Sequence, residues 1–158
     1  MLLKTRDLVT MAILLAINLI SLVLATTIET NTLAFFGIAS WIIYIVLEEY
    51  GLKSGLLFCI GSIIAGFFLS INKIQICTYI ILLTPYVILK YKIKNIFFRI
   101  ILGNGLGVIF YLLLRFVFMF SIKSIYVIVF EIGIIVFDFA LKYAMIIYRN
   151  RIKPYITK

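Results

Sequence analysis

Four ionisable side chains interrupt stretches of this sequence that are otherwise apolar, namely Arg115, Glu131, Asp138 and Lys142. An ionisable group in lipid costs about 2.5–3.5 kcal/mol, so such groups usually face a protein interior, a cavity or a partner. On neighbouring helices, Arg115 and Glu131 would lie at depths that agree to within about one turn, at ~1.5 Å per residue. These two residues are therefore predicted to pair. Asp138 and Lys142 are spaced i, i+4, which favours a structural ion pair along one helix.

Uncharged polar side chains extend the same surfaces. Tyr111 comes one helical turn before Arg115, and Gln75 and Tyr79 are one turn apart on the preceding predicted helix. One interpretation is that these groups neutralise one another and determine how the helices pack. Another is a small outward-facing pocket, with Arg115 as the anchor for an anionic or hydrogen-bonding solute. The substrate-binding residues of that pocket would be Arg115, Glu131, Tyr111, Gln75 and Tyr79. A third interpretation is a docking face for a partner.

Most catalytic and metal chemistry is excluded by composition. The sequence has no histidine, which removes the usual zinc ligand and the base of most catalytic triads. Cys59 and Cys77 would lie at depths about two turns apart, so neither a disulfide nor a metal site is expected. Glu48 and Glu49 are interpreted as part of a solvated turn. We therefore expect a protein that is not an enzyme and that holds no cofactor or metal.

The elements that must position these residues are membrane-spanning helices. Hydrophobic residues make up 65% of the chain and charged residues 13%, values typical of membrane proteins rather than soluble domains. A spanning helix needs roughly 20 mostly apolar residues. Six segments qualify, and they predict an all-α integral membrane protein with one six-helix transmembrane domain over residues 1–158. The predicted spans are about 8–26, 32–47, 54–70, 74–89, 96–120 and 124–148.

Positive charges fall on alternate connections between these spans. The N-terminal segment, the second and fourth connections and the C-terminal tail carry most of the lysines and arginines, whereas the opposite connections carry only Lys73 and Lys123. Because cytoplasmic loops are enriched in Lys and Arg, both termini are predicted to be cytoplasmic in a multi-pass protein of the cell membrane. The net charge of +9 then reflects this bias and contact with anionic lipid headgroups of the bilayer, not nucleic-acid binding.

Small residues spaced four apart predict where helices approach one another closely. Such pairs are Ala12 with Ala16, Ser62 with Gly66, and Gly103 with Gly107. Pro85, in the middle of the fourth span, is predicted to bend that helix because proline removes a backbone hydrogen bond.

Two stretches resemble a known family. A basic start leads into a first helix with an Ala-x-x-x-Ala motif, here Ala12 and Ala16, and this resembles the substrate-specific (S) components of energy-coupling factor (ECF) transporters. The stretch 44–69 is similar to the second-to-third helix region of a related group of S-like membrane proteins. The six-helix architecture with cytoplasmic termini also matches that family.

The resemblance implies a two-part role. Ala12 and Ala16 would dock on a transmembrane scaffold protein, and the outer ends of the last three helices would hold a small vitamin-like or micronutrient solute. Separate ABC-type ATPases on the scaffold would then drive uptake. An alternative is a non-transporting scaffold subunit of a cell-envelope or cell-shape complex, whose partner helix would contact the charged face around Asp138. A membrane enzyme using Glu131 and Asp138 is a weaker hypothesis.

Overall fold

The computed structural model describes residues 5–116 and 124–153, apart from the side chains at positions 110, 113, 114, 116 and 124–131. These residues are almost entirely helical, which confirms the predicted all-α class. The helices are α1 (Thr5–Thr27), α2 (Thr32–Leu69), α3 (Lys73–Lys92), α4 (Ile96–Phe116) and α5 (Ser124–Ile147). A 3-10 turn, Glu29–Asn31, precedes α2, and a π-helical turn, Tyr148–Ile152, follows α5.

Several of these helices are suited to lipid. Within the described part of the chain, Thr5–Thr27, Glu29–Leu69 and Lys73–Lys92 are long and apolar enough to cross a membrane, and α4 contributes a shorter apolar stretch, Ile96–Ile109. The number of crossings and the orientation of the termini stay predictions. The chain forms two compact units, Met1–Tyr91 and Lys92–Lys158.

Hydroxyl groups in α1 are satisfied inside the helix itself. Thr10 Oγ1 donates to the Arg6 carbonyl (3.0 Å), Ser21 Oγ to Ile17 (2.9 Å) and Thr27 Oγ1 to Val23 (2.7 Å). A hydroxyl that donates to a backbone carbonyl of the preceding turn has its hydrogen-bond donor satisfied within the helix. These residues can therefore stand among apolar neighbours.

Gly51 divides α2 into two limbs, residues 32–50 and 52–69. Its φ of 80° and ψ of 174° lie in a region of backbone space that essentially only glycine adopts. A Cβ on Gly55 would lie 3.2 Å from the Leu47 Cα, although residues eight apart in a straight helix are separated by about 12 Å. The limbs are therefore antiparallel neighbours, and their bounds lie close to those of the helices predicted over 32–47 and 54–70.

The second limb also packs closely on α1. A Cβ added to Gly66 would lie 2.8 Å from Leu22 Cδ1, which confirms close approach at one of the small residues singled out in the sequence. Ile76 Cδ1 lies 3.7 Å from the same Cβ position, and Leu22, Ile43, Val46 and Ile76 are all buried. The apolar core of the first unit therefore lies between α1, the two limbs and α3.

Side chains close the short connection between α2 and α3. Asn72 Oδ1 accepts hydrogen bonds from the backbone N–H groups of Ile74 (3.2 Å) and Gln75 (3.3 Å) and so caps the start of α3. Lys73 Nζ donates to the carbonyls of Phe67 and Ser70, which lie at the end of α2. A cation at a helix C-terminus is stabilised by the helix dipole. These two sets of hydrogen bonds satisfy the end of α2 and the start of α3, so the few residues between the two helices can form the whole connection.

A π-helical turn interrupts α3 at Tyr79–Leu83, immediately before Thr84 and Pro85. The backbone N–H of Thr84 bonds the Tyr79 carbonyl, one residue further back than in an α-helix. Proline lacks the N–H that would continue the regular ladder. The π-helical turn thus lies immediately before Pro85, the residue from which a bend in this helix was predicted.

The second unit contains α4 and α5, which pack against each other. Asn95 Oδ1 accepts a hydrogen bond from the Phe97 backbone N–H (3.0 Å) and caps the start of α4. Residues 117–123, including Lys123, lie outside the described part of the chain.

Replacing Gly51 with alanine should destabilise the protein, because the backbone conformation at that position strains any residue with a Cβ. We expect a loss of about 1–3 kcal/mol in the free energy of unfolding, measured by thermal or SDS unfolding in detergent followed by circular dichroism. Gly37→Ala is the matched control, since Gly37 is helical and a Cβ there meets nothing within 4 Å. The control should be neutral or stabilising. Equal stability of the two variants would refute the hairpin at Gly51.

Candidate functional site

A cluster of polar side chains is buried in the core of the first unit. Its members come from α1, both limbs of α2, and α3, and we refer to them as the Asn18 cluster. They are Asn18, Ser40, Ser62, Tyr79 and Thr84, each at most 2% exposed. Polar groups in so apolar an environment are costly unless they bond one another. The cluster therefore needs partners within this unit's interior.

Asn18 joins three helical segments through one amide. Its Nδ2 donates to the Ala39 carbonyl in the first limb of α2 (2.8 Å), and its Oδ1 accepts from Ser62 Oγ in the second limb. Both halves of the amide are thus used between segments. These bonds specify the register of α1 against the α2 hairpin.

Tyr79 contributes an aromatic face and a hydroxyl to the same cluster. Its ring stacks on Phe36 with centroids 5.0 Å apart and planes inclined by 28°. Its hydroxyl lies beside Ser40, Asn18 and Thr84. Neither Tyr79 Oη nor Ser40 Oγ completes a hydrogen bond of normal geometry within the described residues. The cluster therefore retains unused hydrogen-bonding capacity at these two hydroxyls.

Gln75 lies one turn before Tyr79 on α3. It is half-buried, and its Oε1 is buried without a hydrogen-bond partner among the described residues. Both residues were predicted to contact a substrate. The structure places Tyr79 in the core of the first unit and leaves the Gln75 carbonyl oxygen able to accept a bond.

The turn between the α2 limbs lies beside the first turns of α1. Tyr50, in that turn, interacts with Thr10, Asp7 and Arg6 of α1. Burial raises the pKa of the Tyr50 phenol, and the Asp7 and Glu49 carboxylates raise it further, while the Thr10 hydrogen bond and Arg6 oppose the increase. The phenol is therefore neutral at physiological pH. Glu48 and Glu49, which were predicted to lie in a solvated turn, are half-buried in the structure.

A buried ion pair joins the two helices of the second unit. Arg99 Nη2 donates to Asp138 Oδ2 at 3.0 Å, with side chains 10% and 1% exposed. Arg99 Nη1 also donates to the carbonyls of Ile93 (3.1 Å) and Lys94 (3.2 Å). A buried charge needs both a counter-ion and hydrogen bonds, and Arg99 has both.

This pair changes the interpretation of Asp138. Sequence spacing favoured Lys142 as its partner, whereas the structure gives Asp138 a cation from the start of α4. Lys142 is exposed, and its pairing with Asp138 stays a prediction. Spacing along one helix cannot reveal a partner 39 positions away, which only the packing of α4 on α5 brings near.

Tyr111 and Arg115 do lie on one face of α4. Arg115 Nη1 donates to Tyr111 Oη at 3.4 Å, and the arginine is exposed. The side chain of Glu131 lies outside the described residues, so its predicted pairing with Arg115 is untested. The pair offers a guanidinium and a phenol side by side, which suits an anionic or hydrogen-bonding group.

Ala12 and Ala16 lie on the exposed face of α1. Asn18 and Ala25, on the other side of the helix, are buried. The alanines stand among large exposed apolar side chains, which are Leu8, Val9, Ile13, Ile17 and Ile20. The two alanines therefore form a shallow apolar surface outside the packing of the first unit.

Sequence reasoning missed Asn18 and Ser40 because it weighed charged groups first. An asparagine within a long apolar run is a signal of its own, since its amide needs partners from neighbouring helices. Ser62 was singled out only for its small size. Its hydroxyl proves as important, because it donates to Asn18.

Removing the Asn18 amide should lower the stability of the first unit against unfolding. Asn18→Ala leaves the Ser62 hydroxyl and the Ala39 carbonyl without this partner, and we expect a loss of about 1–2 kcal/mol in the free energy of unfolding. Unfolding in detergent measures it. Asn150→Ala removes an exposed amide and should change stability by less than about 0.5 kcal/mol. Similar losses in both variants would exclude a bridging role for Asn18.

Asp138→Asn should destabilise the second unit more strongly, because it leaves the Arg99 charge buried without its counter-ion. We expect a loss of about 3 kcal/mol in the free energy of unfolding. Lys142→Gln, one turn away on α5, is the control and should cost less than about 0.5 kcal/mol. The double variant Arg99→Met with Asp138→Leu should recover much of the loss. A larger effect of Lys142→Gln than of Asp138→Asn would make Lys142 the principal partner.

Comparison with known proteins does not assign the chain to a family. No protein-family model, no curated protein and no solved structure matches it. The resemblance to S components therefore stands on the residues that carry it, and the function of the chain is a matter for proposal.

Proposed function

We propose that this chain is the membrane-embedded, solute-binding subunit of an ECF-type uptake transporter. It spans the cell membrane six times with both termini in the cytoplasm, and it docks on a transmembrane scaffold protein. Separate ABC-type ATPases energise uptake of a small vitamin-like or micronutrient solute. The subunit itself has no enzymatic step and no cofactor.

The observation that carries this proposal is the exposure of Ala12 and Ala16. In lipid, helices associate through close van der Waals packing, and small residues allow that approach. The small residue Gly66 is already used in this way inside the first unit, against Leu22. Ala12 and Ala16 are exposed, whereas Leu22 is buried against Gly66, so the surface of the two alanines can receive a helix of another protein.

The group best suited to a solute is the pair of Tyr111 and Arg115 on α4. Its guanidinium and phenol can bind a carboxylate, a phosphate or a carbonyl of a small molecule. In the predicted span 96–120, Arg115 lies about five residues before the outer end, where a long side chain can reach the membrane boundary and a solute arriving from water.

The alternative, a non-transporting scaffold subunit, would use the charged face around Asp138 to hold a partner helix. Asp138 is 1% exposed and bonded to Arg99, so its carboxylate is committed within the second unit. A partner helix could reach it only by displacing a buried ion pair, which is costly. We therefore favour the transporter subunit.

Enlarging the alanine surface should abolish docking without unfolding the protein. Ala12→Leu and Ala16→Leu place bulk where a scaffold helix would approach, and we expect co-purification of the scaffold and ATPases to fall at least tenfold. Affinity purification of the tagged chain from its native membrane, followed by protein mass spectrometry, measures this. Ala34→Leu makes the same change at an exposed alanine of α2 and should leave the complex intact.

The same preparations test the solute. Mass spectrometry of small molecules released from the wild-type protein in mild detergent should identify one compound in near-stoichiometric amount. Ala12→Leu should retain it, since docking and binding use different surfaces. Association that survives both alanine changes would contradict docking at α1, and a protein that releases no compound would contradict a solute-binding role.

A further inference from the structure

Cations at the connection into α4 have two different roles. Lys92 and Lys94 are exposed, whereas Arg99 is buried. The Arg99 guanidinium holds the Ile93 and Lys94 carbonyls and, at the same time, Asp138 of α5. The connection is therefore tied to α5 through a buried group. The backbone that carries the two lysines has a defined conformation rather than that of a loose loop.

Two exposed aromatic side chains follow these lysines in the sequence. Phe97 and Phe98 lie in the first turn of α4 and are 68% and 59% exposed. Their position is set by the Asn95 cap on the Phe97 N–H. Lysines next to exposed rings match the boundary between lipid headgroups and acyl chains, where cationic and aromatic side chains are enriched. We name Lys92, Lys94, Phe97 and Phe98 the α4 entry surface.

The charge around this surface is strongly positive. Because α4 and α5 pack as consecutive helices and Asp138 meets Arg99, the residues that follow Asp138 run toward the end of the unit where α4 begins. Arg149 and Arg151 are exposed there. The only acidic residues in the sequence after position 91 are Glu131 and Asp138, and Asp138 is neutralised by Arg99.

We propose that the α4 entry surface binds the headgroup of an anionic phospholipid. The phosphate lies between Lys92 and Lys94, and the rings of Phe97 and Phe98 contact the upper part of the acyl chains. A cluster of four or more cations at a membrane-spanning helix is the chemistry that selects anionic lipid. This site is independent of solute binding and of docking through Ala12 and Ala16.

Lipid titration of the full-length chain in detergent, followed by native mass spectrometry, tests the site. The wild-type protein should bind phosphatidylglycerol more tightly than phosphatidylcholine. Each lysine near an anionic surface contributes about fivefold in affinity. Lys92→Gln combined with Lys94→Gln should therefore weaken phosphatidylglycerol binding about 25-fold and leave phosphatidylcholine binding unchanged.

Lys53→Gln is the matched control, because it removes an exposed cation at the turn of the α2 hairpin. We expect it to change phosphatidylglycerol affinity less than twofold. The single variant Lys92→Gln removes the same amount of charge as Lys53→Gln and should weaken binding about fivefold. Equal losses in these two single variants would show that only the overall charge matters, and would overturn the site. Equal affinity of the wild-type protein for the two lipids would overturn it as well.

Discussion

The Asn18 amide imposes the constraint on which the first unit depends. Helices that are apolar on most faces gain little from choosing one neighbour over another, because lipid is as apolar as a leucine side chain. An amide among them has few places where both its donor and its acceptor are satisfied. Asn18 finds them at the Ala39 carbonyl and the Ser62 hydroxyl. Sliding α1 by one turn would break both bonds.

The hydrogen bonds of Asn18 require helices that lie close together, and small residues at the helix contacts allow this spacing. Gly55 lets the two limbs of α2 touch at Leu47, and Gly66 lets α1 approach the second limb at Leu22. A larger residue at either position would push the backbones apart and pull Ser62 away from Asn18. Packing and hydrogen bonding are thus coupled, since each requires the helix separation that the other provides. Arg99 and Asp138 perform the corresponding role in the second unit.

Much of the helical framework was predictable from sequence, and its internal contacts were not. The lengths of the apolar runs predict α1, α3 and the two limbs of α2 to within a few residues, because spanning length is a strong constraint. The partner of Asp138 was not predictable in this way. Arg99 looked like one of several boundary cations, and only the packing of α4 on α5 identifies it as a buried counter-ion. Tyr79 was predicted on a solute-facing surface, whereas it lies in the core, where its ring stacks on Phe36 and its hydroxyl lies beside Ser40 and Asn18.

The exposed side of α1 follows a different rule from its buried side. The buried side of α1 makes hydrogen bonds to neighbouring segments. Among the described residues, the surface around Ala12 and Ala16 has no polar side chain and can contribute only apolar packing, together with the exposed side chains of Ile13 and Ile17. A helix that approached this surface would gain dispersion contacts over a short length and would leave no buried polar group when it departed. Such an interface would depend on the small size of both alanines and, without buried polar bonds, would also be readily reversible. A reversible interface would suit the proposed docking on a scaffold protein. A permanently assembled scaffold protein would gain more from polar bonds at the same place, of the kind that Asn18 makes on the other face.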